Sequence, residues 1–423
     1  MTPARSPLKP LDIALAELLE QVNTLSGIEE ISTFDADGRV LAQNMLSSLH
    51  VPPQDNSSMD GYAMRAADVG VAGAVLSVSQ RIPAGSVGTP LQAGTAARIF
   101  TGASIPADAD AVVMQEECDV LSEANTEKGM NQIRVNAIPT SGQWIRRAGE
   151  DVALGAVVLR QGERLNPASL GLAASIGLAT LPVVRKPKVA LFSTGDELVM
   201  PGDIAPQDMP AGSIYNSNRF FLRALLQRLG CEVTDMGIVP DNLDATKAAL
   251  RSAAEGHDLI LTSGGVSVGE EDHIKPAVQA LGELNLWQIA IKPGKPFAYG
   301  KVKNATDSAH FIGLPGNPVS SFVTFFLLVR PFLLKLQGVQ DVDQIATKSI
   351  PVRADFVWSR ADKRREFLRV KRNANGGLDL FPNQSSGVLT SAVWGDGLVN
   401  NPPGQTIAIG DMVQFVSFAE LLS

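Results

Sequence analysis

The strongest constraint on this chain is an alternation that runs from about residue 187 to residue 336. Short apolar runs at Lys188–Phe192, Glu232–Val239, His257–Thr262, Leu286–Ile291 and Phe311–Leu314 alternate with helical segments at Asn216–Leu229, Leu243–Ala254, Asp272–Leu281 and Val319–Leu336. Strands separated by helices of this length predict parallel pairing with right-handed crossovers, that is, an α/β sheet. Ligands of such sheets bind beyond the carboxyl ends of the strands. The residues past each strand are therefore candidates: Ser193–Glu197, Asp241-Asn242, Ser263–Ser267, Lys292–Pro296 and Leu314–Pro318. Turn and helix-cap chemistry accounts for Gly, Pro, Asp or Asn in any one of these loops. It does not account for acids and lysines collecting on a single rim. No GxxxxGK[ST] phosphate loop and no GxGxxG after a strand is present, so the glycine-rich SGGVSVGE run is a weak signal by itself. Its backbone N–H groups could still face a phosphate. Lys292 and Lys295, stiffened by two prolines and a glycine, suit an oxyanion clamp. Glu197, Asp241 and Asp272 carry the hard oxygens that suit Mg²⁺ beside a phosphate.

The flanking sequence has other textures. A helix is expected over Leu11–Val22 from a three-and-four spaced leucine stripe. Residues 47–144 alternate short β-branched runs with Gly and Pro, predicting a small β-rich unit with a polar tip at 125–131. Asn166-Pro167 reads as a helix start, so 1–46 and 145–180 are expected to form one helix-rich domain interrupted by the β-rich insert. After residue 337, strand patterns at Ser349–Val357, Glu366–Lys371, Leu378–Phe381 and Met412–Phe418 predict a C-terminal β-barrel over 337–423. Residues 181–336 are the α/β domain. With 423 residues, 45% of them hydrophobic and 19% charged, the chain is long enough for several packed cores and is not a disordered polymer. The net charge of −8 argues against nucleic-acid or anionic-membrane partners. Two cysteines and four scattered histidines argue against disulfide or zinc frameworks and for a cytoplasmic location. The longest apolar run, Phe322 to Val329 apart from Thr324, is too short to cross a bilayer. These residues point to a protein that handles a phosphorylated, anionic small molecule with Mg²⁺.

Six stretches, DNSSMDGYA (55–63), RIFTGASIPADADAVVMQEE (98–117), STGDEL (193–198), TSGGVSVGEED (262–272), IKPGKP (291–296) and GLPGNPVSSF (313–322), together resemble the molybdopterin molybdenumtransferase family, which includes bacterial MoeA and the C-terminal domain of gephyrin. The resemblance spans nearly the whole chain in the same order. It implies a homodimer of four-domain subunits and a reaction in which molybdate enters the dithiolene of adenylylated molybdopterin while Mg²⁺-dependent cleavage releases AMP. It further implies that Ser263, Gly264, Gly265 and Ser267 hold the pterin–phosphate portion, and that Glu197, Asp241 and Asp272 position Mg²⁺ and the cleaved phosphates. Lys292, Lys295, Ser320, Arg364 and Ser386 would bind molybdate, and Asp60 and Thr101 would act from the insert. Arg365 beside Arg364, and Ser385 beside Ser386, leave the register open there. Two alternatives stand beside this reading: an adenylyltransferase that joins ATP to molybdopterin, which shares the α/β domain but does not need the other three, and a non-catalytic, gephyrin-like scaffold. Tungstate in place of molybdate keeps the chemistry. An adenylyltransferase and molybdoenzymes are the expected protein partners.

Overall fold

A computed structural model of the chain describes residues 8–121, 131–265, 273–305, 307–342 and 348–422. At its centre lies a six-stranded sheet of β1 (Lys188–Thr194), β2 (Glu232–Val239), β3 (Leu259–Ser263), β4 (Gly282–Gln288), β5 (Pro296–Lys303) and β6 (Ser308–Leu314), in the spatial order β2-β1-β3-β6-β5-β4. The first four in that order pair in parallel, as expected. The predicted parallel sheet needs one correction. Strand β5 was not anticipated, and it lies antiparallel to both β6 and β4. Its PFAYGKVK sequence follows the IKPGKP loop so closely that no helix can intervene, and a short connection permits only a reversal. Because β5 opposes both of its neighbours, β4 still runs in the direction of β6, and the 289–295 loop still leaves at the carboxyl edge.

The interior strands are apolar on both faces, which is why they read as continuous runs rather than alternations. Val189 and Leu191 of β1 and Leu259 and Leu261 of β3 enter one core, whereas Ala190, Phe192 and Ile260 enter the other. The first core takes the helices Ser217–Arg228 and Pro318–Leu336; the second takes Leu243–Ala254 and Ile274–Leu281. Asn216 and Asn242 accept hydrogen bonds from the N–H groups of Arg219 and Ala245, so each of the first two crossover helices starts on a capped turn. The helical segment Pro318–Leu336 is long and apolar enough to span a membrane, the one such segment among the described residues, but 89% of it is buried inside the protein. Over Phe325–Val329 it widens into a π-type turn just before Pro331, whose missing N–H cannot satisfy the preceding turn.

The helix-rich expectation for 1–46 with 145–180 is corrected in two ways. The helix Leu11–Glu20 buries Leu11, Ala14, Leu15, Leu18 and Leu19 in the first core of the central sheet, not against 145–180. The two segments do meet, but through short strands: Ile28–Ser32 pairs antiparallel with Thr180–Val184, and Met45–Leu46 with Val157–Leu159. The period-two spacing of Val157 with Leu159 and of Leu181 with Val183 carries that signal. The helix there, Pro167–Ser175, starts as expected, with Asn166 Oδ1 accepting from Ala168 N at 2.9 Å and Ser169 N at 3.1 Å. Replacing this cap, Asn166→Ala, is expected to cost about 1 kcal/mol. Chemical denaturation would read that loss, and an unmoved midpoint would contradict the capping role.

Between these strands lies a six-stranded sheet in the order Ala111–Met114, Gly61–Met64, Thr95–Ile99, Ala74–Ile82, Gln132–Val135, Cys118–Leu121. The polar tip expected at 125–131 falls almost entirely outside the described residues. The C-terminal sheet runs Ile291–Lys292, Arg365–Arg372, Gly397–Asn401, Met412–Ser417, Ile350–Arg353, with Leu378–Leu380 added to Arg365–Arg372. A single bridge from Leu378 to Ala354 brings the sheet back toward its last strand, short of a closed ring of ladders. Most consequential for the site, Ile291-Lys292 pairs in parallel with Arg365-Glu366. The chain leaving β4 therefore joins the central and C-terminal sheets.

Candidate functional site

A cleft of about 530 Å³ opens at the carboxyl ends of β1, β3 and β6. Thr194, Ser263 and Gly264 form its floor, Gly316, Asn317 and Pro318 one side, and Tyr215–Asn218 the other. Its rim includes Glu197 and, from the C-terminal region, Gly387. The helices beginning at Ser217 and Pro318 both start in this wall, and a helix N-terminus favours negative charge. Volume, polar floor and helix termini together suit an anionic small molecule.

Local sequence explains the floor. Gly264 has φ +92°, and a Cβ there would lie 2.9 Å from the Thr194 carbonyl oxygen, so the turn after β3 can close against β1 only with glycine. Its N–H donates to Leu314 O at 3.0 Å, which ties the turn to β6. Ser263 is buried, its Oγ 3.4 Å from Ser193 Oγ. Glu197 is exposed and folds back over the turn at Gly195, and Asp241 N donates to Asp196 Oδ1 at 3.2 Å. The acids following β1 and β2 thus gather on one rim. Ser267 and Asp272 lie outside the described residues.

A second cluster sits where the 289–295 loop meets the C-terminal sheet. Lys292 Nζ lies 3.1 Å from Glu366 Oε1 and 3.4 Å from Asp362 Oδ2. Arg364 holds the same Asp362 with both ends of its fork, Nε to Oδ1 at 3.0 Å and Nη2 to Oδ2 at 2.8 Å. Hydrogen bonds from Arg364, followed by the nearby Lys292 charge, hold the Asp362 carboxyl far below its ordinary range, while Asp362 raises the Arg364 guanidinium. Glu366 is 1% exposed; Trp358 Nε1 donates to its Oε2 at 2.8 Å. Arg365 points elsewhere, in a bidentate pair with Asp12 at 2.9 Å. Lys292 is therefore not the bare cation that its strand-exit position suggested, because the partner carboxylates arrive from sequence about seventy residues away.

Lys295 is half-buried, and among the described residues it has no carboxylate partner. Its loop packs on the turn that carries Ser320, where a Cβ on Gly294 would collide with Thr324 Oγ1 and approach Ser320 O. Val319 N, next to Ser320, donates to Ser386 O at 2.9 Å. Ser385 instead accepts from Arg369 at its carbonyl. One helical turn thus draws Lys295, Ser320 and Ser386 together, while Gly387, beside Ser386, reaches the cleft. Asp60 and Thr101 form a separate unit on the insert. Thr101 N and Oγ1 both donate to Asp60 Oδ1 at 2.8 Å, lowering the Asp60 pKa, and neither residue lines the cleft of this chain.

Several residues of the site carried no functional signal in the sequence. Asn216 was legible only as the first residue of a helix; its Nδ2 is buried in the cleft wall with no partner among the described residues. Asn218, whose Nδ2 donates to Gly316 O at 2.7 Å, and Tyr215 went unnoticed, because neither follows a sheet strand. Glu366 lies on a strand of the C-terminal sheet, with Trp358 and Asp362 in the segment that leads into it, and all three were invisible to a search of strand exits in the central sheet.

Fold and cleft define an α/β protein with a polar cleft at the carboxyl edge of its sheet, of a size and charge that suit a small anionic ligand. Three family models match in sequence order: MoeA N-terminal region (domain I and II) at 9–177, "Probable molybdopterin binding domain" at 190–335, and MoeA C-terminal region (domain IV) at 351–418. The molybdopterin molybdenumtransferase of Haemophilus influenzae is 46% identical over 332 residues, covering 78% of each chain. That of Synechococcus elongatus is 35% identical over 421 residues, 95% of this chain and 97% of the relative. The solved structure of the molybdopterin biosynthesis MoeA protein from Pyrococcus horikoshii OT3 superposes with a TM-score of 0.81 at 29% identity, covering 97% of this chain and all of that one. The chain belongs to the MoeA family of molybdopterin molybdenumtransferases, which are transferases of molybdenum-cofactor biosynthesis.

Proposed function

We propose that this chain inserts molybdate into adenylylated molybdopterin and releases AMP, with the phosphates bound in the cleft and molybdate beside the Lys292–Arg364 cluster. The observation that carries the reading is the adjacency of the two sites: one helical turn at Val319-Ser320 touches both the Ser386 segment and the Lys295 loop. In this reading the helix N-termini at Ser217 and Pro318 and the Ser263–Gly265 turn orient the phosphates. Asn216 Nδ2, which has no partner among the described residues, supplies a buried donor to the same ligand. Ser267, Asp272, Asp60 and Thr101 complete the residue set that the family likeness suggests.

The fit to Mg²⁺ rests on donor chemistry. Among the described residues no three His, Cys, Asp or Glu side chains gather into a self-sufficient metal site. Mg²⁺ commonly takes one or two carboxylates together with substrate phosphates, and Glu197 and Asp241 are hard-oxygen donors at neighbouring strand exits. When bound there, Mg²⁺ would neutralise charge on the phosphoanhydride. The protein's own task is to hold that anhydride against the helix termini and keep a carboxylate at its edge. Cleavage by water would leave one phosphate on molybdopterin and release AMP.

The same reading divides the chain at 1–46 with 145–180, 47–144, 181–336 and 337–423. It takes the active form as a cytoplasmic homodimer. An apolar hollow lined by Leu170, Ala174 and Leu178, beside a Phe34 side chain that is 96% exposed, supports a protein-covered surface.

The deciding experiment measures AMP release from adenylylated molybdopterin by the purified protein with Mg²⁺, with and without molybdate. Molybdate-stimulated release with a product that activates a molybdenum-free apoenzyme is expected. Tight substrate binding with no release would favour the scaffold reading, and consumption of ATP the adenylyltransferase.

A further inference from the structure

We propose that Asp362 is an internal anion that occupies the oxyanion position between Lys292 and Arg364 and must be displaced before molybdate can bind; this rests on the molybdate reading of that cluster. As folded, Lys292 and Arg364 face two carboxylates, Asp362 and Glu366, and Arg365 is committed to Asp12, which leaves Lys295 of the same loop as the one cation without a carboxylate partner among the described residues. A dianion entering between Lys292 and Arg364 meets a carboxylate already on their donors, so one carboxylate has to leave.

The structure distinguishes the two carboxylates. Glu366 is 1% exposed and is held on its far oxygen by Trp358 Nε1 at 2.8 Å and Asn401 Nδ2 at 3.4 Å, so it stays and keeps Lys292 aimed. The Asp362 side chain is 18% exposed, and among the described residues its side-chain bonds go to Arg364 and Lys292. It takes a bidentate guanidinium and an ammonium at once, which is the set of donors that a tetrahedral oxyanion would use. The segment itself is anchored independently, by the hydrogen bond of Gly404 N to Asp362 O at 2.7 Å and by the Trp358–Ile407 bridge, so the side chain can swing away without unravelling the strand. Asp362 then acts as a specificity-determining residue. Only an anion that competes better than a tethered carboxylate for the fork enters, which favours dianions over monoanions.

Sodium molybdate titrated calorimetrically into the full-length protein tests this. Asp362→Asn keeps an acceptor for Arg364 N and removes the charge. It is expected to lower the molybdate Kd about tenfold, the scale of one charge-assisted hydrogen bond, and to make binding sensitive to competing nitrate. Asp362→Ser should act in the same direction. Unchanged or weaker molybdate binding in both variants would overturn the proposal, since a residue that merely orients the cations weakens binding when removed. Lys292→Ala and Arg364→Ala report on the site itself. Loss of molybdate binding in these two, without tightening in the Asp362 variants, refutes only the displaced carboxylate. Unchanged binding in these two refutes the molybdate site.

Discussion

Glu197→Ala is expected to leave adenylylated molybdopterin bound and to lower AMP release by about 10²–10³-fold, the usual cost of removing one group that stabilises transition-state charge. Glu197 lines the cleft but is exposed at its rim, so its loss creates no cavity and unfolds nothing. Substrate affinity should depend instead on the floor and the helix termini. Single-turnover measurement with an excess of protein separates the two effects. Undiminished AMP release in this variant would remove Glu197 from the chemistry, leaving Asp196 and Asp241 as the described carboxylates at the edge.

Gly264→Ala should fail differently. At φ +92° an alanine is strained, and its Cβ would press on the Thr194 carbonyl at 2.9 Å, so about 2–3 kcal/mol of stability should be lost. Backbone, not a flexible side chain, is the obstacle, so relief requires β3 to move away from β1. That movement breaks the Gly264 N to Leu314 O bond and opens the cleft floor. Both the denaturation midpoint and substrate affinity should fall together. A variant with wild-type stability but lost binding would show that the glycine matters only for ligand access.

These two residues differ in how they could be known. Glu197 stood out in the sequence because it follows an apolar strand and has no cap or turn to serve. Gly264 stood out only as part of a glycine-rich turn, and its reason, the Thr194 carbonyl, comes from a strand about seventy residues away. The same distance limited the reading of Lys292. Its position after a strand was legible, but its parallel pairing with Arg365-Glu366 and its capture by Asp362 were not. The first helix shows the complementary error. Its leucine stripe predicted a helix and a buried face, yet not which core that face would enter, because Leu15 and Leu18 pack equally well on any apolar surface of suitable shape.

The sequence by itself determined the elements whose signal is local: the apolar runs of β1 and β3, the caps at Asn166 and Asn242, the carboxyl-edge loops, and the motifs that carry the family likeness. Local signals are legible because a strand's burial or a helix's cap is set by residues within one or two turns. The tertiary structure alone decided that β5 reverses the sheet's edge, that Leu11–Glu20 belongs to the central core, that Arg364 and not Arg365 faces Lys292, and that a carboxylate sits between them. Each of those depends on contacts between segments far apart in the chain, which are selected by the packing and charge balance of the whole molecule.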